Sequence, residues 1–234
     1  IGVTGVQTCA LPIYGMTIAF VVFTLLMGPV CILGIFGNIV SILALRYDKR
    51  HSVAALLLQA LAVADSCLLL TSLIGLTISH GLLPFIGRLD VVFLMFPYLL
   101  KYLQPIAYIA LTQTILTTCL LAINRYIAVC RALHAWKLNT MKRTYIQIGM
   151  VTAFSVLLNF PRFFRYDIVE IDNEATALAT SIGENSVFDI VYTGVLFSIL
   201  TFVLPLILLV FIKAKIIYVL KSARRNRRIM STRE

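Results

Sequence analysis

The sequence predicts an all-α membrane protein, a transmembrane helix bundle of five spans, and three observations carry that prediction. The chain of 234 residues is 60% apolar and only 13% charged, with a mean hydropathy of +0.96, whereas soluble domains are about half apolar and a quarter charged. Charges are excluded from long runs: none falls within residues 1–45, 102–124, 144–161 or 190–212, and 53–79 holds only Asp65. Lys and Arg also cluster in alternate connections, the bias that orients a multi-pass chain.

A hydrocarbon core ~30 Å thick is crossed by ~20 helical residues. Backbone groups in lipid must bond within their own segment, so each run has to be a helix. The first span is expected at 17–45, inside the uncharged opening, and the second at 53–80, interrupted by Asp65. The third, 97–130, ends in "CLLAINRYIAVCRAL", where the apolar run turns basic at Arg125. The fourth, 142–161, is the shortest, and the fifth occupies 189–220. Residues 1–16 then form an extracellular N-terminal segment, 17–220 the membrane region, and 221–234 the start of a cytoplasmic loop.

Arg46, Lys49 and Arg50 lie between the first two spans, Arg125, Arg131, Lys137, Lys142 and Arg143 surround the connection from the third to the fourth, and eight more, from Lys213 onward, close the chain, so 16 of the 20 basic residues share one side. That side is cytoplasmic, with the N-terminus outside and the C-terminus inside. The +10 net charge is therefore a topology signal and not a nucleic-acid footprint. The basic tail "KSARRNRRIMSTRE" reads as a solvated flank beside anionic lipid, or else as a docking segment. The outer connection 161–189 is the reverse: Asp167, Glu170, Asp172, Glu174, Glu184 and Asp189 face only Arg162 and Arg165, a net of −4. Such a loop either concentrates a cationic ligand or is simply kept soluble.

Five scattered cysteines make no disulfide framework, and no zinc spacing, P-loop, nucleophile elbow or HExxH motif gives an enzyme a foothold. A lone carboxylate at mid-span costs ~2.5–3.5 kcal/mol on insertion scales, so Asp65 should face the bundle interior. Asn38 and Thr114 lie at comparable depth on neighbouring spans. Together they would coordinate a small cation with water, or form a purely structural hydrogen-bond cluster. Tyr102 to Asn124 is 23 residues, about 34 Å of helix, which carries Arg125 to the inner interface, where it either snorkels or meets a docking protein.

Motifs in register along the spans bear on those readings. "GN" at Gly37–Asn38, "LAVAD" ending in Asp65, "NRYIAVC" around Arg125 and Tyr126, and "FVLP" with Pro205 resemble the first five helices of a rhodopsin-like (class A) G-protein-coupled receptor. "YLQPIAYIALTQT" and "NFPRFFRYDIVE", with Pro161 ending the fourth span, resemble more narrowly the invertebrate FMRFamide-type neuropeptide receptors. The resemblance implies a plasma-membrane receptor whose Asn124, Arg125, Tyr126 and Leu133 meet a heterotrimeric G protein. It implies an allosteric sodium ion at Asn38, Asp65 and Thr114, and no other cofactor. It implies an extracellular peptide ending in arginine and an amidated phenylalanine, held by Gln104 and Tyr108, with Thr77, Phe163 and Tyr192 as further pocket residues; helix packing is the alternative role of each. Ala107 stands where amine receptors usually carry an aspartate.

The chain also departs from the family pattern. Asn124 replaces the usual acid before the arginine, which weakens the resting latch and should raise basal signalling. Leu100 occupies the usual outer cysteine, Thr152 stands near the customary tryptophan, and Lys213 stands where many relatives place a tyrosine. The sixth and seventh helices are missing, so a fragment inactive by itself is expected, and "IGVTGVQTCALPI" resembles translated sequencing adapter. Two other readings stay open at this point. One is an ion-coupled transporter or channel subunit built around Asp65; the other is a truncated receptor isoform that modulates a partner receptor.

Overall fold

The computed structural model describes residues 15–47, 52–130, 140–171 and 174–231, with side chains described through residue 222 except at 171 and 174. Five helices are long and apolar enough to cross a membrane: α1 (Gly15–Tyr47), α2 (Val53–Phe85), α3 (Leu89–Cys130), α4 (Met141–Phe164) and α5 (Phe188–Ser222). The α5 backbone stays helical to Ser231. Between α4 and α5 lies an antiparallel hairpin, β1 (Tyr166–Ile171) and β2 (Glu174–Ala179), in register from Tyr166 opposite Ala179 to Ile171 opposite Glu174.

The packing is inside out relative to a soluble protein. Leu33 is 69% exposed, Phe202 67% and Leu157 71%, while most buried positions are small or hydroxylic, among them Ala62, Ala64, Ala110, Thr112, Thr117, Thr144 and Ser155; Leu57 and Ile212 are large apolar exceptions. Lipid is as apolar as leucine, so burying leucine between helices gains nothing, and close backbone approach decides which residues meet. Gly34 and Gly81 are examples on the α1–α2 seam. A β-carbon built on Gly34 would lie 2.7 Å from Leu69 Cδ1, and one on Gly81 would overlap the Thr24 hydroxyl. The hydroxyls satisfy themselves along their own helices: Ser66 donates to Ala62 O, Thr118 to Thr114 O and Thr144 to Thr140 O, at 2.7, 2.9 and 3.0 Å.

Prolines explain most of the helix irregularity. Wide, π-type turns occupy Phe20–Leu26, Leu73–Leu82, Leu99–Leu103, Phe188–Leu196 and Ile199–Val203. A proline ring removes one ladder bond and clashes with the carbonyl four residues earlier. The residues four before Pro29, Pro84, Pro105 and Pro205 are Leu25, His80, Lys101 and Thr201, and each falls inside one of these turns. Side-chain hydroxyls take up loosened carbonyls, as membrane helices require: Ser79 donates to Ile74 O at 3.0 Å and Thr201 to Phe197 O at 2.6 Å. Phe188–Leu196 has no proline at that offset.

Three sequence expectations need correction. The third helix starts at Leu89 and runs through Pro97, eight residues before the expected start at 97. Gly87, at φ +77°, makes the turn that lets α3 begin so soon after α2. The connection after α4 is an ordered hairpin, because Tyr-Asp-Ile-Val-Glu-Ile pairs with Glu-Ala-Thr-Ala-Leu-Ala, a run of strand-compatible residues too short to compete with the helical signals around it. Arg162, counted above as a loop charge, is 4% exposed inside the bundle. The remaining spans begin and end within five residues of expectation. Residues 1–14 and Leu133 lie outside the described residues.

Candidate functional site

At the hairpin end, α2 and α3 enclose a cavity of about 310 Å³. Its wall is rich in leucine, with Gln104, Tyr108, His80, Ser72 and Thr71 as the groups able to hydrogen-bond. Both residues favoured from sequence therefore line one space, one helical turn apart on α3. Leu100 and Ala107 line it too, and no carboxylate does. Such a space takes an apolar group with neutral hydrogen-bonding edges, not a free ammonium.

Thr77, Phe163 and Tyr192 are placed elsewhere. Thr77 is buried against α1, where its carbonyl accepts from the Thr24 hydroxyl at 3.3 Å and its methyl lies opposite Gly28. Phe163 is half-buried in the final turn of α4, its ring 6.5 Å from that of Phe160. Tyr192 donates its hydroxyl to the Leu158 carbonyl and stacks on Phe188 at 4.7 Å. Pro161 starts the tight final turn of α4, and Pro205 is buried in α5.

Sequence reasoning missed the group that joins α3, α4 and α5. Asn159 is fully buried; its amide donates to Ser155 O at 2.9 Å, Thr112 Oγ1 at 3.1 Å and Tyr108 O at 3.4 Å. Its side-chain oxygen accepts from Arg162 Nε at 3.2 Å. The Arg162 guanidinium then lies 4.0 Å from the Tyr108 ring, 4.5 Å from Phe197 and 5.7 Å from Tyr192. Three aromatic faces around a desolvated cation are each worth up to ~2 kcal/mol. The available signal was an arginine directly after a span-ending Asn-Phe-Pro, where a helix-end basic residue reads by default as solvated.

The hairpin is fastened without a covalent link. Lys101 Nζ on α3 pairs with Asp167 Oδ1 on β1 at 2.9 Å, and Arg165 with Asp189 at 2.7 Å. Lys101 follows Leu100, the residue in place of the usual cysteine. The described cysteines, Cys31, Cys67, Cys119 and Cys130, are all free thiols. Asp167 and Asp189 are thus engaged in ion pairs, which leaves Glu170 and Glu184 as exposed acids of the described loop.

Deeper in the bundle, Thr114 Oγ1 donates to Asp65 Oδ1 at 2.8 Å, joining α3 to α2. Asp65 and Asn38 line one cavity of about 380 Å³ between α1 and α2, with Ser41 beside them. A carboxylate, an amide oxygen and hydroxyls form an all-oxygen set, which suits a hard cation. No group of three or more His, Cys, Asp or Glu side chains gathers among the described residues. At the opposite end of α3, Arg125 is exposed, with Asn124 and Tyr126 half-buried beside it.

Comparison with known proteins agrees with this geometry. The family model described as "7 transmembrane receptor (rhodopsin family)" matches residues 37–234. An FMRFamide receptor of Drosophila melanogaster is 28% identical over 224 residues, 93% of this chain and 41% of that protein. The FMRFamide peptide receptor frpr-18 of Caenorhabditis elegans is 28% identical over 210 residues, 88% of this chain and 48% of that protein. The octopressin receptor of Octopus vulgaris is 26% identical over 200 residues, 84% of this chain and 44% of that protein. The chain spans less than half the length of these relatives, all of them receptors and not enzymes. With five spanning helices and a match over most of its length, the chain belongs to the rhodopsin family of seven-transmembrane receptors.

Proposed function

We propose that this chain is part of a plasma-membrane receptor for an extracellular, C-terminally amidated neuropeptide. Its hairpin end faces outward and its Arg125 end faces a heterotrimeric G protein. The observation that carries the reading is the α2–α3 cavity, which offers a leucine-rich wall and the neutral edges of Gln104 and Tyr108, with alanine at 107. An amidated peptide end is neutral and can both donate and accept, which that lining can satisfy; a small amine would leave its ammonium unpaired there. The two FMRFamide-receptor relatives support the same ligand class. The chain spans less than half the length of its relatives, so ligand binding and signalling are assigned to the full-length receptor.

The test is a calcium or cAMP screen of the full-length receptor in cultured cells against amidated peptides. At least one amidated peptide should activate it, and Tyr108→Ala or Gln104→Ala should raise the half-maximal concentration about tenfold, the loss expected when a ligand hydrogen bond goes unmade in a dry site. Activation that is indifferent to both substitutions would defeat the reading.

The all-oxygen cluster of Asp65, Thr114 and Asn38 is proposed as a sodium site whose occupancy favours the resting arrangement. A cation bound in one state shifts the equilibrium only by its differential affinity. Raising sodium against a potassium background should therefore weaken agonist binding, and Asp65→Asn should remove that dependence. Equal sodium sensitivity in both proteins would exclude the site.

A further inference from the structure

Arg162 is a cation buried in a membrane bundle without a carboxylate partner. It is 4% exposed and belongs to none of the three ion pairs formed among the described residues. Asn159 takes its Nε at 3.2 Å, yet Nη2, also buried, finds no acceptor among the described residues. A buried unpaired donor on a charged group costs upward of ~1–3 kcal/mol, and aromatic faces do not accept the in-plane N–H bonds of a guanidinium. The position is held firmly, because Asn159 is itself fixed by three further bonds to α3 and α4. Tyr108 both lines the α2–α3 cavity and lies beneath this guanidinium at 4.0 Å. An oriented, desolvated donor thus lies against Tyr108, one side chain removed from the proposed ligand space.

We propose that Arg162 is the anchor for a hydrogen-bond acceptor of the extracellular ligand, a peptide carbonyl oxygen that reaches its unpartnered Nη2 when the Tyr108 ring turns aside. The inference rests on the peptide reading above and adds an orientation. A ligand bearing its own guanidinium is repelled from the Arg162 end of the site and drawn toward the exposed acids Glu170 and Glu184 of the outer loop. The acceptor end therefore enters the helices, and the cationic group stays with the loop.

The experiment uses the full-length receptor in membranes and the amidated tetrapeptide Phe-Met-Arg-Phe-NH2. Each carbonyl oxygen of the peptide is replaced in turn by sulfur, a weaker acceptor of similar shape, and binding is measured on the unaltered receptor and on Arg162→Gln. One thioamide is expected to bind the unaltered receptor about tenfold more weakly. That same replacement should change affinity less than about twofold on Arg162→Gln, because the partner it would have lost is already gone. Arg162→Lys, which keeps the charge but not the fork, serves the same cycle if Arg162→Gln fails to reach the cell surface, and must reduce the penalty at the same carbonyl. Penalties that are identical on both receptors at every carbonyl would overturn the anchor and leave Arg162 a packing residue. Failure of the unmodified tetrapeptide to bind the unaltered receptor would instead strike the peptide reading, and the inference with it.

Discussion

Arg125→Ala in the full-length receptor is expected to abolish agonist-driven G-protein activation, by roughly a hundredfold in nucleotide exchange, while agonist affinity in uncoupled membranes changes by less than about threefold. The side chain stands exposed at the end of α3, far along the helix from the cavity at Gln104 and Tyr108, so its removal leaves the ligand space intact. Truncating a charge that becomes buried against a partner costs ~2–5 kcal/mol or more, which is the origin of the expected loss. Asn124 bears on the basal level. An amide can hydrogen-bond the neighbouring arginine but contributes no opposing charge, so Asn124→Asp should lower ligand-free exchange. Exchange that survives Arg125→Ala at normal surface density would exclude Arg125 from the coupling surface.

The second large effect is structural. Asn159→Ala is expected to destabilise the detergent-solubilised full-length receptor by about 3 kcal/mol, since it leaves the buried Arg162 Nε without its acceptor and removes the bonds to Thr112, Ser155 and Tyr108 at once. For a bundle of this size that corresponds to a fall in Tm on the order of 10 °C, measurable by thiol-reactive dye unfolding of purified receptor. Asn159→Asp should be milder than Asn159→Ala, because a carboxylate would still accept from Nε and would oppose the Arg162 charge. A variant as stable as the parent would show that the network contributes nothing net.

The spans were legible because lipid imposes a single rule, and the charge-free runs obey it. Asp65, Asn38 and Thr114 were legible for the same reason, since a polar group at mid-depth needs partners and there were few to choose from. Arg162 was not. At a span end, a basic residue that snorkels and one that folds inward have the same local sequence. What separates them is Tyr108 and Phe197, which lie on helices distant in the chain. The hairpin escaped for a related reason: the pairing of Tyr166–Ile171 with Glu174–Ala179 is decided across a turn, while periodicity is read along one strand. The early start of α3 depended on Gly87 adopting a positive φ, which the residue permits but does not demand.

The salt link of Lys101 to Asp167 governs how the outer end of α3 responds to its surroundings. With Asp167 64% exposed, the link is worth at most ~1 kcal/mol and is screened by salt. The hold of the hairpin on α3 should therefore loosen as ionic strength rises, while dithiothreitol leaves this link untouched.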